Sequence, residues 1–588
     1  MPSITATVSS IRVLLTQTRQ LAGDFMRYAG WRGAHAALLI GAGSLLEGVG
    51  LVLVIPLLGV IIHTNAAGGA VQRASQRVFE FFGVSGTLER LGLLLTIFAL
   101  LIALRAVVLL RRDVTLAAIR IGFVESLRGE SITLLTNAAW SEASKLRHAR
   151  VTHVISGDIQ RVGNAAYFLV QAVTAVAMLL AQIALAFLIS PAVTSFTVVA
   201  LLIGAVVMLP MLSKSRDLGA YVTNANLSLL DTTAQFLGGL KLAISQNLQK
   251  SFLDEFLRTL RAMSDKQVEF TRRSSKSRLA LATFSALVGA LVVFVGFGLM
   301  GTSPAVLITL LLILSRMNGP ATQIQQGLQQ LSNSLPAYSE LKDLNAELAG
   351  ASRAASGTER HETLAQGDIA FRVVTYRYVQ DDGQGAGVED LNLDIPQGCF
   401  FGISGSSGAG KTTFADLLVG LVRPQHGEIR IGGRVLDDTV VDAWRSGLSY
   451  VSQDSFLFHD SLRRNLAWAR PDAGEAEMWA ALALAGADTL VRRMEKGLDT
   501  VVGERGSFVS GGERQRIAVA RAMMRKPSLL VLDEATSAID VAGEREIIDR
   551  LLAVTPRPTI VMIAHRAESL QRCDAVAVFE RGRAVIRS

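Results

Sequence analysis

The sequence predicts a multi-domain chain: an all-α, six-helix membrane-spanning domain over residues 1–345, a linker at 346–365, and an α/β domain over 366–588. Three observations carry this. Half of the 588 residues are hydrophobic and only 18% are charged, whereas soluble domains average about 25% charged residues. Residues 1–350 hold 29 Lys and Arg against 18 Asp and Glu, while residues 351–588 hold 29 against 32, so the basic excess lies wholly in the apolar half. Two stretches, 162–213 and 279–315, contain no Asp, Glu, Lys, Arg or His. Cations beside apolar segments orient a membrane protein, so they are not read as a nucleic-acid surface. Two cysteines, Cys399 and Cys573, cannot make a disulfide framework and suggest a reducing compartment. Met1–Leu21 is polar, without the compact apolar core of a signal peptide.

A spanning helix needs about 20 apolar residues. The first span is 36–62, interrupted only by Glu47, and the second is 91–110, containing Arg105 and ending at Arg111-Arg112. The uncharged stretch 162–213 is too long for one span. It divides at Ser190-Pro191 into 162–189 and 192–213, and the next divides at Gly301-Thr302-Ser303-Pro304 into 279–300 and 303–318. Arg27, Arg32, Arg111, Arg112, Arg161, Lys214, Arg216, Arg272, Arg273, Lys276, Arg278 and Arg316 flank these spans on one side if the spans alternate. Both termini and the α/β domain then face the cytoplasm from a multi-pass protein of the cell (inner) membrane. The outside keeps one loop, His63–Arg90, and two tight turns; the inside loops 113–160 and 214–277 are long and helical in character. Beyond the sixth span, 318–345 continues as a polar helix, and Ala349–Glu362 is small, polar and linker-like. Apolar runs at 399–403, 448–451, 529–532 and 559–563 read as buried strands of a mainly parallel sheet between helices.

The chemistry concentrates in the last part of the chain. Gly405-Ser406-Ser407-Gly408-Ala409-Gly410-Lys411-Thr412-Thr413 follows an apolar strand and precedes a helical stretch, 414–421, the context that a phosphate loop requires. Its glycines let backbone N–H groups close around phosphate oxygens at a helix N-terminus. Lys411 reaches the β- and γ-phosphates, and the Thr412 hydroxyl can ligate Mg²⁺. Downstream, 529–532 ends in Asp533-Glu534, acids at the C-terminal end of a strand, where α/β folds place ligand chemistry. Asp533 is the candidate Mg²⁺ holder and Glu534 the candidate general base. Ser510-Gly511-Gly512-Glu513 opens another helix. S-x-x-E is also a plain capping box, but two glycines weaken a first turn, and close approach of a phosphate explains them.

Together these strings resemble an ATP-binding-cassette half-transporter of the exporter type, and the resemblance covers nearly the whole chain. It implies the type IV exporter fold in the membrane half, a P-loop ATPase domain behind it, and ATP with Mg²⁺ as the ligands. Tyr378 matches the aromatic that stacks on adenine, with Tyr376 as rival. Gln453 resembles the glutamine that senses Mg²⁺ and the attacking water. The segment 509–513 resembles the family signature, with Val509 and Glu513 where Leu and Gln are usual. Asp540 falls in the loop after the acids, and His565 matches the switch histidine near the γ-phosphate. The segment 502–506 is similar to one that exporters set against their membrane domain. In the family one subunit's signature closes over another's phosphate loop. One loop and one signature per chain therefore imply two copies, a homodimer with two composite sites that couples ATP hydrolysis to alternating access. Asn137–Lys145, tipped by Trp140, and Asp231–Lys241 are the candidate coupling segments. The chain ends 23 residues after His565, short for the family, which suggests that a last helix is lacking.

Glu47 in mid-span is costly unless it faces a cavity or a partner. Arg105 and Arg316 are candidate partners, and these three with Gln171 and Gln182 are the candidate substrate-cavity residues, the alternative being structural pairing between helices. Export or flipping of a lipid, lipid-linked glycan, peptide or hydrophobic compound is the leading expectation. An importer on the same architecture is the alternative, and an ATP-gated channel a different class.

Overall fold

A computed structural model of the chain describes residues 4–52, 77–84, 86–189, 210–299, 304–351, 367–378, 387–503 and 508–587, with isolated positions at 191, 194–195, 198–199 and 506. It forms two compact units. One comprises Met1–Asn137 with Lys145–Gly350, the other Ala138–Ser144 with Ala351–Ser588.

The first unit is all helix: α1 (Ile4–Val52) and α2 (Thr87–Asn137), then, past the short α3 (Trp140–Ala143), α4 (His148–His153), α5 (Ile159–Ile189), α6 (Pro210–Gly238), α7 (Leu240–Ser245), α8 (Gln249–Phe294) and α9 (Pro304–Gly350). Helices α1, α2, α8 and α9 are far longer than the apolar runs that mark them in sequence. Helix α2 has 51 residues, about 75 Å at 1.5 Å per residue and more than twice the hydrocarbon thickness. Hydropathy sees only the lipid-facing part, while the backbone ladder continues into polar sequence. Among the described residues, Thr87–Asn137, His148–Leu188 and Gln249–Gly298 are long and apolar enough to cross a membrane. The expected end of the first span and the first half of the outer loop (53–76), most of the fourth span (192–193, 196–197, 200–209), its preceding break at Ser190 and the turn at 300–303 lie outside the described residues, as does linker segment 352–366. The start of the expected linker, 346–350, belongs to α9.

Helix α9 packs along α5, with Val162, Ala165 and Ala166 on α5 and Leu335, Ala337 and Leu341 on α9 fully buried. Polar pairs join α9 to α4 and to α1. Arg150 on α4 reaches Glu340 at 2.7 Å and Glu347 at 2.8 Å on α9. Asp24 on α1 receives the Tyr338 phenol at 2.6 Å and pairs with Lys342 at 2.8 Å. Of the two candidate coupling segments, the first holds the four-residue α3 with Trp140 half exposed. The second, 231–241, is broken by Gly238-Gly239, so that α6 ends there and α7 starts at Leu240. Glycine is the poorest helix former after proline.

In the second unit, strands β1 (Ile369–Arg377), β2 (Gly387–Ile395), β4 (His426–Ile431) and β5 (Arg434–Val435) make an antiparallel sheet in the order β2-β1-β4-β5. The six-stranded sheet runs β10-β9-β3-β8-β7-β6, from β3 (Phe400–Gly405), β6 (Leu448–Val451), β7 (Leu529–Asp533), β8 (Thr559–Ile563), β9 (Ala575–Glu580) and β10 (Arg583–Arg587). Every neighbouring pair in it is parallel except β9–β10. All five residues of β7 and of β8 are buried. Val531, Val561 and Ile563 pack on one face with Phe414, Leu417 and Leu418 of α10 (Lys411–Leu418). Leu530, Leu532, Ile560 and Met562 pack on the other with Ile517 and Val519 of α15 (Gly511–Met524). Double-sided burial is why these strands read as unbroken apolar runs rather than as an alternation. It also leaves their C-terminal ends as the place where polar groups emerge.

Candidate nucleotide site

The loop 405–410 leaves the end of β3 and enters α10. Two glycines in it are there for steric reasons. Gly405 has φ +148°, and a Cβ would lie 2.4 Å from the Phe579 carbonyl oxygen; Gly410 has φ +102°, and a Cβ would lie 2.5 Å from that of Gly387. A side chain at either position would push the loop off the sheet. Helix α10 begins at Lys411, three residues earlier than the sequence expectation of 414, because Gly410 supplies the left-handed turn that starts it. Ser406, Ser407 and Gly408 are exposed and Ala409 is buried. Lys411 is buried, and its Nζ donates to the carbonyls of Gly405 and Ser406, both at 2.9 Å. The ammonium thus braces the loop from inside. Thr412 is exposed at the mouth of the loop and Thr413 is buried beneath it.

Two strands away, β7 delivers Asp533 and Glu534. Asp533 is buried and accepts from the Tyr450 phenol at 2.8 Å across the β6–β7 ladder. Burial pushes its carboxyl above the usual carboxylate range, and the neighbouring Lys411 works in the opposite direction. Glu534 sits at φ +49°, a backbone that non-glycine residues rarely adopt and that clusters at functional sites. Its N–H donates to the Ile563 carbonyl at 3.0 Å, which holds it at the end of β8. Its carboxylate then lies between two sequence-predicted partners: Gln453 Nε2 at 2.8 Å on one oxygen and His565 Nε2 at 2.8 Å on the other. Residues separated by up to 112 positions therefore converge on one carboxylate, with Gln453 and half of the His565 ring open to solvent.

Tyr378 lies just past β1. Its phenol donates to Asp416 Oδ2 at 2.6 Å, and its ring meets Tyr376 edge-on at 5.1 Å. Tyr376 itself stays in the β1 ladder opposite Val388. Helix α15 starts at Gly511, so both glycines occupy its first turn. Ser510 Oγ accepts from the Glu513 N–H at 3.3 Å, and Glu513 Oε2 accepts from the Ser510 N–H at 2.8 Å. The departure from the family signature therefore closes a capping box. Asp540 caps α16 (Val541–Leu552) by accepting from the Gly543 N–H at 3.2 Å. Segment 502–506 is only partly within the described residues.

Residues that motif reading passed over also serve this site. Gln515 donates to Ser537 Oγ at 3.1 Å and accepts from the Ala538 N–H at 2.9 Å. Arg566 donates to the Ser537 carbonyl at 2.9 Å and the Ile539 carbonyl at 3.0 Å. Glu544 is buried between the hydroxyls of Thr536 and Ser569. Position next to a motif residue was a signal for Arg566 alone. In the membrane unit, Gln182 is buried and Gln171 donates to the Tyr167 hydroxyl at 2.7 Å, while Arg316 is exposed and Arg105 half-buried. The Glu47 side chain lies outside what is described.

Residues 388–537 match the family model described as ABC transporter. The ATP-dependent lipid A-core flippase of Yersinia pestis bv. Antiqua is 41% identical over 224 residues, 38% of this chain and 38% of that protein. The chain thus covers less than two fifths of the first curated relatives it matches. The flippase of the same name from Haemophilus ducreyi is 32% identical over 387 residues, 63% of this chain and 64% of that one. The heterocyst differentiation ATP-binding protein HepA of a Nostoc species is 28% identical over 463 residues, 75% and 72%. A solved structure of a bacterial Atm1-family ABC exporter with ATP bound has the same fold, with a TM-score of 0.79 over 95% of this chain and 94% of that one at 22% identity.

Proposed function

We propose, from the premise that this chain is an ABC transporter of the exporter type with membrane helices and ATP-binding domain in one polypeptide, that it hydrolyses ATP to export or flip an amphiphile across the membrane. The observation that carries the ATPase part is the Glu534 carboxylate, held between Gln453 and His565 one residue beyond Asp533. Two relatives named as lipid A-core flippases support a lipid-like cargo.

The donor set suits a magnesium nucleotide. Thr412 offers a hydroxyl, Asp533 a carboxylate and Gln453 an amide oxygen, hard donors that leave room for phosphate oxygens and water. When bound with ATP, Mg²⁺ neutralises charge on the phosphates. The chain's own residues do the rest. Backbone N–H groups of 405–412 cradle the phosphates, and Lys411 exchanges loop carbonyls for β- and γ-oxygens. Glu534 takes a proton from the water that attacks the γ-phosphorus, yielding ADP and phosphate. His565 and Gln453 hold the carboxylate and report on the γ-phosphate. Ser510, Gly511 and Gly512 close over the loop of a second copy, so the working unit is a homodimer with two sites. Tyr378 stacks on adenine.

Reconstituted full-length protein tests this. General-base removal typically costs 10²–10⁴-fold, so Glu534→Gln should retain ATP binding and lose hydrolysis on that scale, whereas Lys411→Ala should lose binding. Vesicles with outward-facing ATPase domains should accumulate cargo when ATP is added. Wild-type turnover in Glu534→Gln would overturn the assignment of the base, and ATP-driven loss of cargo would reverse the direction.

A further inference from the structure

We infer that Asp416 is a positioning residue for nucleobase recognition, fixing the Tyr378 ring as a platform by gripping its hydroxyl. The inference rests on the ATP function proposed above. Stacking uses the π-face of a ring and needs no hydroxyl, so the hydroxyl at 378 is not explained by stacking itself. The phenol has another use in this chain: it donates to Asp416 Oδ2 at 2.6 Å. That bond matters because Tyr378 lies past the last residue of β1, where the sheet no longer holds its backbone. Tyr376, still in the ladder, braces the ring edge-on. With one contact at its hydroxyl and one at its ring, Tyr378 stays half-buried.

Asp416 is an unusual choice for its place. It is 9% exposed on α10, five residues after Lys411, among Phe414, Ala415, Leu417 and Leu418, which are all buried. A carboxylate so placed is costly unless hydrogen-bonded, and the Tyr378 phenol supplies a charge-assisted bond, the stronger kind. Burial and the carboxylate together push the phenol's pKa up, which keeps it a donor. The helix that carries Lys411 thus also carries the anchor of the base platform. Phosphate and base subsites are built on one rigid element, and pre-setting the ring removes an ordering cost from nucleotide binding.

The experiment measures full-length protein in nanodiscs against a fluorescent ATP analogue, with two competitors: ATP, and tripolyphosphate, which lacks a base. In Asp416→Ala, ATP should bind about three- to tenfold more weakly and tripolyphosphate as in wild type. Asp416→Asn, whose amide oxygen still accepts from the phenol, should restore ATP binding. Tyr378→Phe should reproduce the loss, and the double variant Asp416→Ala/Tyr378→Phe should be no weaker than either single variant. Should Asp416→Ala fail to fold, Tyr378→Phe and Asp416→Asn carry the same comparison. Equal weakening of ATP and tripolyphosphate, or unchanged ATP affinity, overturns the inference. Wild-type protein that binds neither competitor removes the ATP function itself, and the inference with it.

Discussion

Arg566 holds the backbone of Ser537: its guanidinium donates to the Ser537 carbonyl at 2.9 Å and to that of Ile539 at 3.0 Å. Through this fork, the strand end that presents His565 is clamped to the loop that follows Glu534. Both Glu534 oxygens are already engaged, by Gln453 and His565, so in the proposed mechanism the relative placement of the two segments decides whether the carboxylate can reach a water.

Arg566→Ala should therefore lower kcat more than it changes ATP affinity. Hydrogen bonds to charged groups are worth about 1.5–3 kcal/mol each, and one is partly exposed here, so a loss of roughly tenfold in kcat is expected. Arg566→Lys should recover little, since one ammonium nitrogen does not replace two guanidinium nitrogens that each reach a different carbonyl. Steady-state ATPase assays in parallel with nucleotide binding separate the two effects.

Glu513 accepts from the Ser510 N–H while Ser510 caps the Glu513 N–H. Glu513→Gln keeps an acceptor and should leave thermal stability nearly unchanged, whereas Glu513→Ala should cost about 1 kcal/mol as a lost cap. Gln also removes a negative charge next to a glycine-rich helix start that meets phosphate in the proposed dimer, so ATP affinity should rise. A Glu513→Gln protein with weaker ATP binding would mean that the carboxylate assists the nucleotide.

Buried Glu544 accepts from Thr536 and Ser569, linking the loop after Glu534 to the short helix after His565. Glu544→Ala leaves two buried hydroxyls without their acceptor, each costing about 1–3 kcal/mol. A drop in unfolding stability of about 2–4 kcal/mol is expected, read by denaturant titration. Glu544→Gln should lose less. Indistinguishable titration curves for wild type and Glu544→Ala would contradict this network.

Burial pushes the Cys573 thiol up to about 12, with the Asp574 carboxylate adding to the shift, and burial raises Cys399 as well. The thiolate is the reactive form and is scarce several units below the pKa. Iodoacetamide at pH 8 should leave Cys573 almost unlabelled in the folded protein, and labelling should climb as the pH approaches 12. Unfolding should restore ordinary thiol reactivity near pH 8.5. Mass spectrometry of the labelled peptides distinguishes the two residues.

Sequence alone determined whatever is local or compositional. The strands at 448–451 and 559–563 were legible to the residue, and in the second, burial on both faces explains the nearly unbroken apolar run. The glycine loop at 405–410 was legible because tight backbone approach admits only glycine at 405 and 410. The polar continuation of α9 was legible as the helical stretch 318–345, but the full length of α2 was not, since hydropathy marks only its apolar part. Nor was the antiparallel sheet, whose bulged β1 register obscures the alternation that would have betrayed it. Tertiary structure alone decided which groups meet: Tyr450 on Asp533, Asp416 on Tyr378, Gln515 and Arg566 on the loop after Glu534. Those pairings span 22 to 83 residues of chain, and a side chain's partner across that distance is set by strand order and helix packing, not by its neighbours in sequence.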